Sequence, residues 1–144
     1  MLTFVKLHPE HLKHIRVADV QTTDYAMLTA PDTAAVLSTS LGMSAWASER
    51  CVGAAGLVPY WSGRYEAWAL LDREAGKHAL PILRKMRYVL DTFPARRIEM
   101  TVYVDNRAGH RLAEALGFDP MKAVTLEAYA PNGADVVMYS RVSK

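Results

Sequence analysis

A chain of 144 residues, 51% hydrophobic and 22% charged, has the make-up of one soluble globular domain spanning residues 1–144. Its 17 basic and 15 acidic residues leave a formal charge of +2, and the basic ones are scattered, which argues against a nucleic-acid partner. The one cysteine, Cys51, excludes an internal disulfide framework, and no apolar run reaches the length of a membrane span.

Leu2 to Leu7 alternates as a first strand, ended by His8-Pro9. Pro9 suits a helix first turn, and Leu12, Ile15 and Val20 give an apolar stripe to about Val20. Asp32 or Thr33 is placed to cap a second helix through Ala35, Val36 and Leu37, with Gly42 as its stop signal. Strands follow at Met43 to Ser48 and Cys51 to Tyr60, joined at Glu49-Arg50. The small residues Gly53, Ala54, Ala55 and Gly56 leave room over the second of these, most simply for the long helix that follows. Cys51 falls in this apolar pattern and reads as a small core residue.

The next stretch organises the chain. A strand from Tyr65 to Leu71 leads through a polar loop, Asp72 to Gly76, into a long amphipathic helix. Its apolar residues Ala79, Ile82, Leu83, Met86, Val89, Leu90 and Phe93 have three-and-four spacing, and Pro94 stops it. Strand, glycine-bearing turn and helix start bring backbone N–H groups together on one spot, so Arg73-Glu74-Ala75-Gly76-Lys77-His78 reads as a phosphate-binding loop; a plain turn is the alternative. Arg97 to Val104 alternates strictly, as a strand with one buried face. Asp105 or Asn106 caps a short helix bearing Leu112 and Leu116 and closed by Gly117. Val124 to Tyr129 and Val136 to Val142 form a last hairpin across Pro131-Asn132-Gly133. The order β-α-α-β-β-β-α-β-α-β-β is a mixed α/β plan around one sheet.

The segment Asn106-Arg-Ala-Gly-His-Arg-Leu-Ala-Glu-Ala-Leu-Gly-Phe118 resembles the last-helix signature of the GNAT acetyltransferase superfamily, with Asn106, Leu112, Leu116, Gly117 and Phe118 in register. Upstream, Arg73-x-x-Gly76-x-His78 resembles that superfamily's acetyl-CoA loop, and the order of elements is similar over nearly the whole chain. Small phage-encoded members, internal virion proteins among them, have a similar texture. The resemblance implies a mixed sheet of about seven strands, splayed between strands 4 and 5, with about four helices. It further implies acetyl-CoA as cofactor, held by Leu70 and Leu71 of the strand, by Arg73, Ala75, Gly76, Lys77 and His78 of the loop, and by Asn106. The implied activity is direct acetyl transfer to the amine of a small molecule or protein, in a ternary complex. The implied setting is a cytoplasmic monomer or homodimer, without membrane or nucleic-acid partner. A non-catalytic structural or binding relative, virion-associated if phage-encoded, is the alternative.

Two positions depart from the pattern: His78 stands where glycine or alanine is usual, and Ala113 stands where a tyrosine often protonates the departing thiolate. Acetyl transfer also needs a base near the amine. Glu66 and Glu99, on the two central strands, are the candidates, acting through water; a solvated or salt-bridged role is the alternative. Tyr103 is the candidate acid, or else a tyrosine capping the core. His11 and His14 have helical spacing, but no third ligand accompanies them and no metal is expected. His110 is expected to be exposed, Trp46 and Trp68 to pack in the core, and Trp61 to be available to an acceptor, as are Asp19 and Asp24.

Overall fold

A computed structural model describes residues 2–17, Thr33 and residues 41–143. Seven strands form one sheet in the order β1-β2-β3-β4-β5-β7-β6. They are β1 (Leu2–Lys6), β2 (Leu41–Ala47), β3 (Arg50–Trp61), β4 (Arg64–Leu71), β5 (Arg97–Tyr103), β6 (Val124–Leu126) and β7 (Val136–Val142). The β4/β5 ladder is parallel; β1/β2, β2/β3, β5/β7 and β6/β7 are antiparallel. Among the described residues the α-helices are α1 (Ala79–Thr92) and α2 (Arg107–Ala115), with 3-10 turns at Pro9–His14, Ala75–His78 and Pro120–Lys122.

Two compact units make up the chain. The first comprises Met1–Val58 and Trp68–Ile82. Its core joins Leu7, Leu12, Ile15, Cys51, Ala54 and Leu70, with Val17, Trp46, Val58 and Trp68 packed against them. Cys51 is therefore the core residue expected, and burial pushes its thiol pKa up. The helix expected from Pro9 to about Val20 instead ends as a 3-10 turn at His14, and Ile15 is already extended. Tertiary burial of Leu12 and Ile15 outweighs the helical stripe here. His8 and His11 cap this turn reciprocally: His8 Nδ1 accepts from Glu10 N–H, and His11 Nδ1 accepts from His8 N–H. Trp46 stacks edge-on to His11 at 5.3 Å between centroids, so these histidines serve local structure.

Gly42 is not a helix stop; it lies inside β2, opposite Gly56. Most of the second expected helix lies outside the described residues, as do the acceptor candidates Asp19 and Asp24; Thr33 is helical. At the glycines of the β3 stripe the nearest atoms belong to adjacent strands. A Cβ on Gly53 would meet Leu71 Cδ2 at 3.0 Å, and one on Gly56 would meet Leu41 O at 2.6 Å and Trp68 Nε1 at 2.9 Å. The β2/β3 turn falls at Ser48-Glu49, one residue earlier than expected, with Ser48 at φ 55°.

The second unit comprises Pro59–Ala67 and Leu83–Lys144. Ile98, Met100 and Val102 of β5 are buried as the alternation requires, and Tyr139 of β7 lies opposite Met100. In α2, Asn106 Oδ1 accepts from Gly109 N–H at 3.1 Å. The helix closes as a Schellman motif: Phe118 N–H donates to Ala113 O, Gly117 N–H donates to Glu114 O, and Gly117 takes φ +93°. Arg87 and Arg141 donate to the terminal carbonyls of Ala115 and Leu116 and share Asp91 as counter-ion. β6 stops at Leu126, well short of the expected Tyr129, and Ala128 turns to φ 50°.

Candidate functional site

The turn after β4 is fixed by a buried carboxylate. Asp72 N–H donates to Val52 O, continuing the strand's bonding by one residue before the chain turns. The Asp72 side chain is fully buried. Its Oδ1 accepts from Arg16 N–H at 2.8 Å, and its Oδ2 accepts from Arg50 Nη2 at 2.9 Å, Glu74 N–H at 3.1 Å and Arg16 Nη2 at 3.3 Å. Burial alone would raise the Asp72 pKa; the N–H groups of Arg16 and Glu74, then the Arg16 guanidinium, outweigh it and hold it below the usual carboxylate range. Glu74 Oε2 accepts from the same two arginines, at 2.9 Å from Arg16 and 3.1 Å from Arg50.

The amides expected to receive an anion are therefore partly committed. Arg73 N–H donates to Arg16 O, Glu74 N–H to Asp72 Oδ2, and Ala75 N–H to Asp72 O. Within the stretch Arg73 to His78 expected to hold a diphosphate, the first three amides thus have acceptors inside the protein. Gly76 follows this braced stretch, is exposed, and has open space on its Cβ side: a Cβ built there meets nothing within 4 Å. The His78 ring, half-buried, therefore does not close that side of the turn. Arg73 and Lys77 are exposed on either side of Gly76, while the Glu74 charge is compensated by two guanidiniums. Open backbone, flanking cations and the start of a long helix together suit a diphosphate.

Leu70 and Leu71, on the strand leading into this turn, differ in their surroundings. Leu70 is in the core with 0% exposure, whereas Leu71 is half-buried and covers Gly53. Trp68 Nε1 is buried without a hydrogen-bond partner.

In the second unit the parallel β4/β5 ladder consists of Arg64↔Arg97, Tyr65↔Ile98 and Glu66↔Glu99, and ends there, although β5 continues to Tyr103. Glu66, half-buried at this last pair, accepts from Tyr60 O–H at 2.7 Å. Burial, then Glu66, raises the Tyr60 pKa well above its ordinary value. Glu99 is 3% exposed, on a strand position that alternation assigns to solvent. It accepts Arg64 Nε at 2.9 Å and Arg64 Nη2 at 2.8 Å, and also accepts from Arg97 Nε. Arg64 leads the causes that lower its pKa, overriding burial, which leaves Glu99 a weak proton acceptor. Arg64 itself lies over the Tyr60 and Trp61 rings, at 4.4 and 4.6 Å from their centroids.

Tyr103 is half-buried at the end of β5, opposite Val136. Asn106 uses its carbonyl oxygen as the helix cap. Ala113 has 0% exposure. His110, expected to be exposed, is half-buried and bonded at both ring nitrogens. Val104 O can only accept, so His110 Nε2 carries the proton, and Nδ1 accepts from Tyr139 O–H at 2.8 Å. Among the described residues no group of three or more side chains is placed to hold a metal, and no helix is long and apolar enough to cross a membrane.

Sequence reasoning missed Arg16, Arg50 and Asp72. Nothing local marks them, because they meet across 56 and 22 residues of chain.

The sequence matches no protein-family model and no curated protein. Solved structures do match. The chain is similar to Ard1 from Thermoplasma volcanium, at 14% identity over 99% of this chain and 98% of that one, with a TM-score of 0.76. It is similar to a GNAT-family acetyltransferase from Streptococcus pneumoniae, at 15% identity over 100% of both chains, with a TM-score of 0.66. A chimera built on the spermidine N-acetyltransferase of Vibrio cholerae matches at 18% identity, over 98% of this chain and 95% of that one, with a TM-score of 0.67. The chain has the GNAT fold, with β4 parallel to β5 in its seven-stranded mixed sheet.

Proposed function

We propose that this protein is an acetyl-CoA-dependent N-acetyltransferase working by direct transfer in a ternary complex. The observation that carries the reading is the turn after β4: three internally bonded amides, then Gly76 with an open Cβ side, flanked by exposed Arg73 and Lys77. Coenzyme A supplies the activated acetyl thioester. Gly76, Arg73 and Lys77 hold its diphosphate at the head of α1, with Ala75 and His78 shaping the same turn. The backbone of Leu70 and Leu71 takes its pantetheine arm, and the Asn106 amide nitrogen is a further donor to the cofactor.

In the reaction the acceptor nitrogen attacks the thioester carbon, a C–N bond forms and the C–S bond breaks. The nitrogen sheds a proton and the sulfur gains one. Glu66 takes the first through water; its carboxylate accepts from a neutral phenol, Tyr60, and not from a guanidinium among the described residues. Glu99 does not share that role; two guanidiniums claim its oxygens. Tyr103 supplies the second proton, given that Ala113 has no hydroxyl. The acceptor is an amine on a small molecule or a protein, and the setting is cytoplasmic, where Cys51 stays reduced.

Thermal denaturation with and without acetyl-CoA tests the reading. Ligand at a hundred times its Kd stabilises by about 2.7 kcal/mol, or roughly 5–10 °C for a chain of this size. No shift at millimolar acetyl-CoA refutes it. The buried Ala113 and the double-bridged Glu99 favour one second reading, a non-catalytic relative that binds the cofactor or serves a structural, virion-associated role. Stabilisation without thiol release across a panel of amines would favour that reading over the enzyme.

A further inference from the structure

We infer that Asp72 is a positioning residue, whose carboxylate holds the turn Arg73–His78 in the form that presents Gly76 to the diphosphate of coenzyme A. This rests on the acetyl-CoA reading above. A fully buried carboxylate without partners is strongly destabilising, yet this one is retained with donors from segments remote in the chain. Arg16 reaches it from beyond the first 3-10 turn, Arg50 from the start of β3, and Glu74 from within the turn itself.

The consequence for the turn is specific. Arg16 N–H donates to Asp72 Oδ1 while Arg16 O accepts from Arg73 N–H, so the carboxylate holds the acceptor that fixes the first amide. Its Oδ2 accepts the second amide, from Glu74, and its own carbonyl accepts the third, from Ala75. Three successive peptide planes are thereby set immediately before Gly76. The Gly76 N–H lies in the next peptide plane, so only the two backbone dihedrals of Ala75 separate its orientation from theirs.

Charge and geometry make opposite predictions, which gives the inference its test. Asp72 and Glu74 balance Arg16 and Arg50, so Arg73 and Lys77 set the net charge of the turn. Removing the Asp72 charge makes the region more positive and, on electrostatics alone, tightens an anion. If Asp72 acts by positioning, the same change weakens binding.

The experiment is calorimetric titration of the full-length protein and Asp72→Asn with coenzyme A, and with pantetheine, which lacks the diphosphate. The expected result is roughly tenfold weaker coenzyme A binding, as for a binding group displaced by a fraction of an ångström, with pantetheine affinity changed less than about twofold. Equal or tighter coenzyme A binding by the variant overturns the inference. So does a proportional loss of both ligands, which marks a general structural role. Failure of the unsubstituted protein to bind coenzyme A overturns the acetyl-CoA reading itself, and this inference with it. Should Asp72→Asn not fold, Arg50→Gln decides by the same comparison. Its half-exposed guanidinium bonds both Asp72 and Glu74, and unchanged coenzyme A binding in that variant overturns the inference.

Discussion

Replacing Glu99 by glutamine separates an anchoring carboxylate from a catalytic one. The side chain is 4% exposed and holds Arg64 through two hydrogen bonds and Arg97 through a third. Glutamine keeps the volume but turns one acceptor oxygen into an NH2 group facing guanidinium donors. Removing one partner of a buried ion pair costs about 3–5 kcal/mol. Arg97 and, less so, Arg64 keep access to water, with side chains 40% and 28% exposed, so the expected loss for Glu99→Gln is about 2–4 kcal/mol. Urea unfolding at pH 7 measures it.

The pH dependence has a definite sign. The folded-state pKa of Glu99 is depressed, chiefly by Arg64, so its contribution is complete above the ordinary glutamate value and disappears as pH falls through the folded value. The stability gap between the two proteins should stay flat from neutral pH down to about 5 and narrow below about 4. A gap under about 0.5 kcal/mol at pH 7 would falsify the anchoring role. Full stability combined with a large loss of acetyl transfer would return Glu99 to the chemistry.

Gly76→Ala should leave the melting temperature unchanged or raise it slightly, since its Cβ meets nothing and an alanine restricts the unfolded chain. Coenzyme A affinity should nevertheless fall several-fold; unchanged affinity means the diphosphate lies elsewhere. Gly109→Ala should destabilise by about 1–3 kcal/mol in urea unfolding, against the gain that helix propensity alone gives. The added Cβ would stand 2.6 Å from Val102 Cγ1 and 2.7 Å from Asn106 Nδ2, so it disturbs the cap of α2; a stabilised variant refutes this packing. Cys51, wholly buried and with its thiol pKa raised by burial, should react with a disulfide reagent at pH 8 only in denaturant; fast native labelling contradicts its place in the core.

The sequence was most legible where one local rule acted without competition. Strict alternation located β5 almost to the residue, three-and-four spacing located α1, and the Asn106 and Gly117 signals bounded α2. Each depends on residues a few positions apart, which the chain brings together whatever the rest of the fold does. The first helix failed for the opposite reason. Its stripe of Leu12 and Ile15 is satisfied by burial in the core from a 3-10 turn and an extended segment, so the spacing was real but its cause was tertiary. At Glu99 too the local pattern was overridden: alternation placed it toward solvent, and Arg64 on another strand, with Arg97, makes its burial tolerable.

The candidate site divides along the same line. Gly76 and its basic neighbours were readable because strand, turn and helix are contiguous. What gives that turn its shape was not, because an aspartate at a strand end looks like any loop residue until two distant arginines close on it. Those arginines carry no local signal, since their contribution lies in which carboxylates they meet. Buried charge is where a single sequence says least and coordinates say most: its cost is fixed by residue type, but its compensation is decided by the fold. The turn after β4 is therefore the place where a substitution far along the chain, at Arg16 or Arg50, should be felt at Gly76 without contact between them.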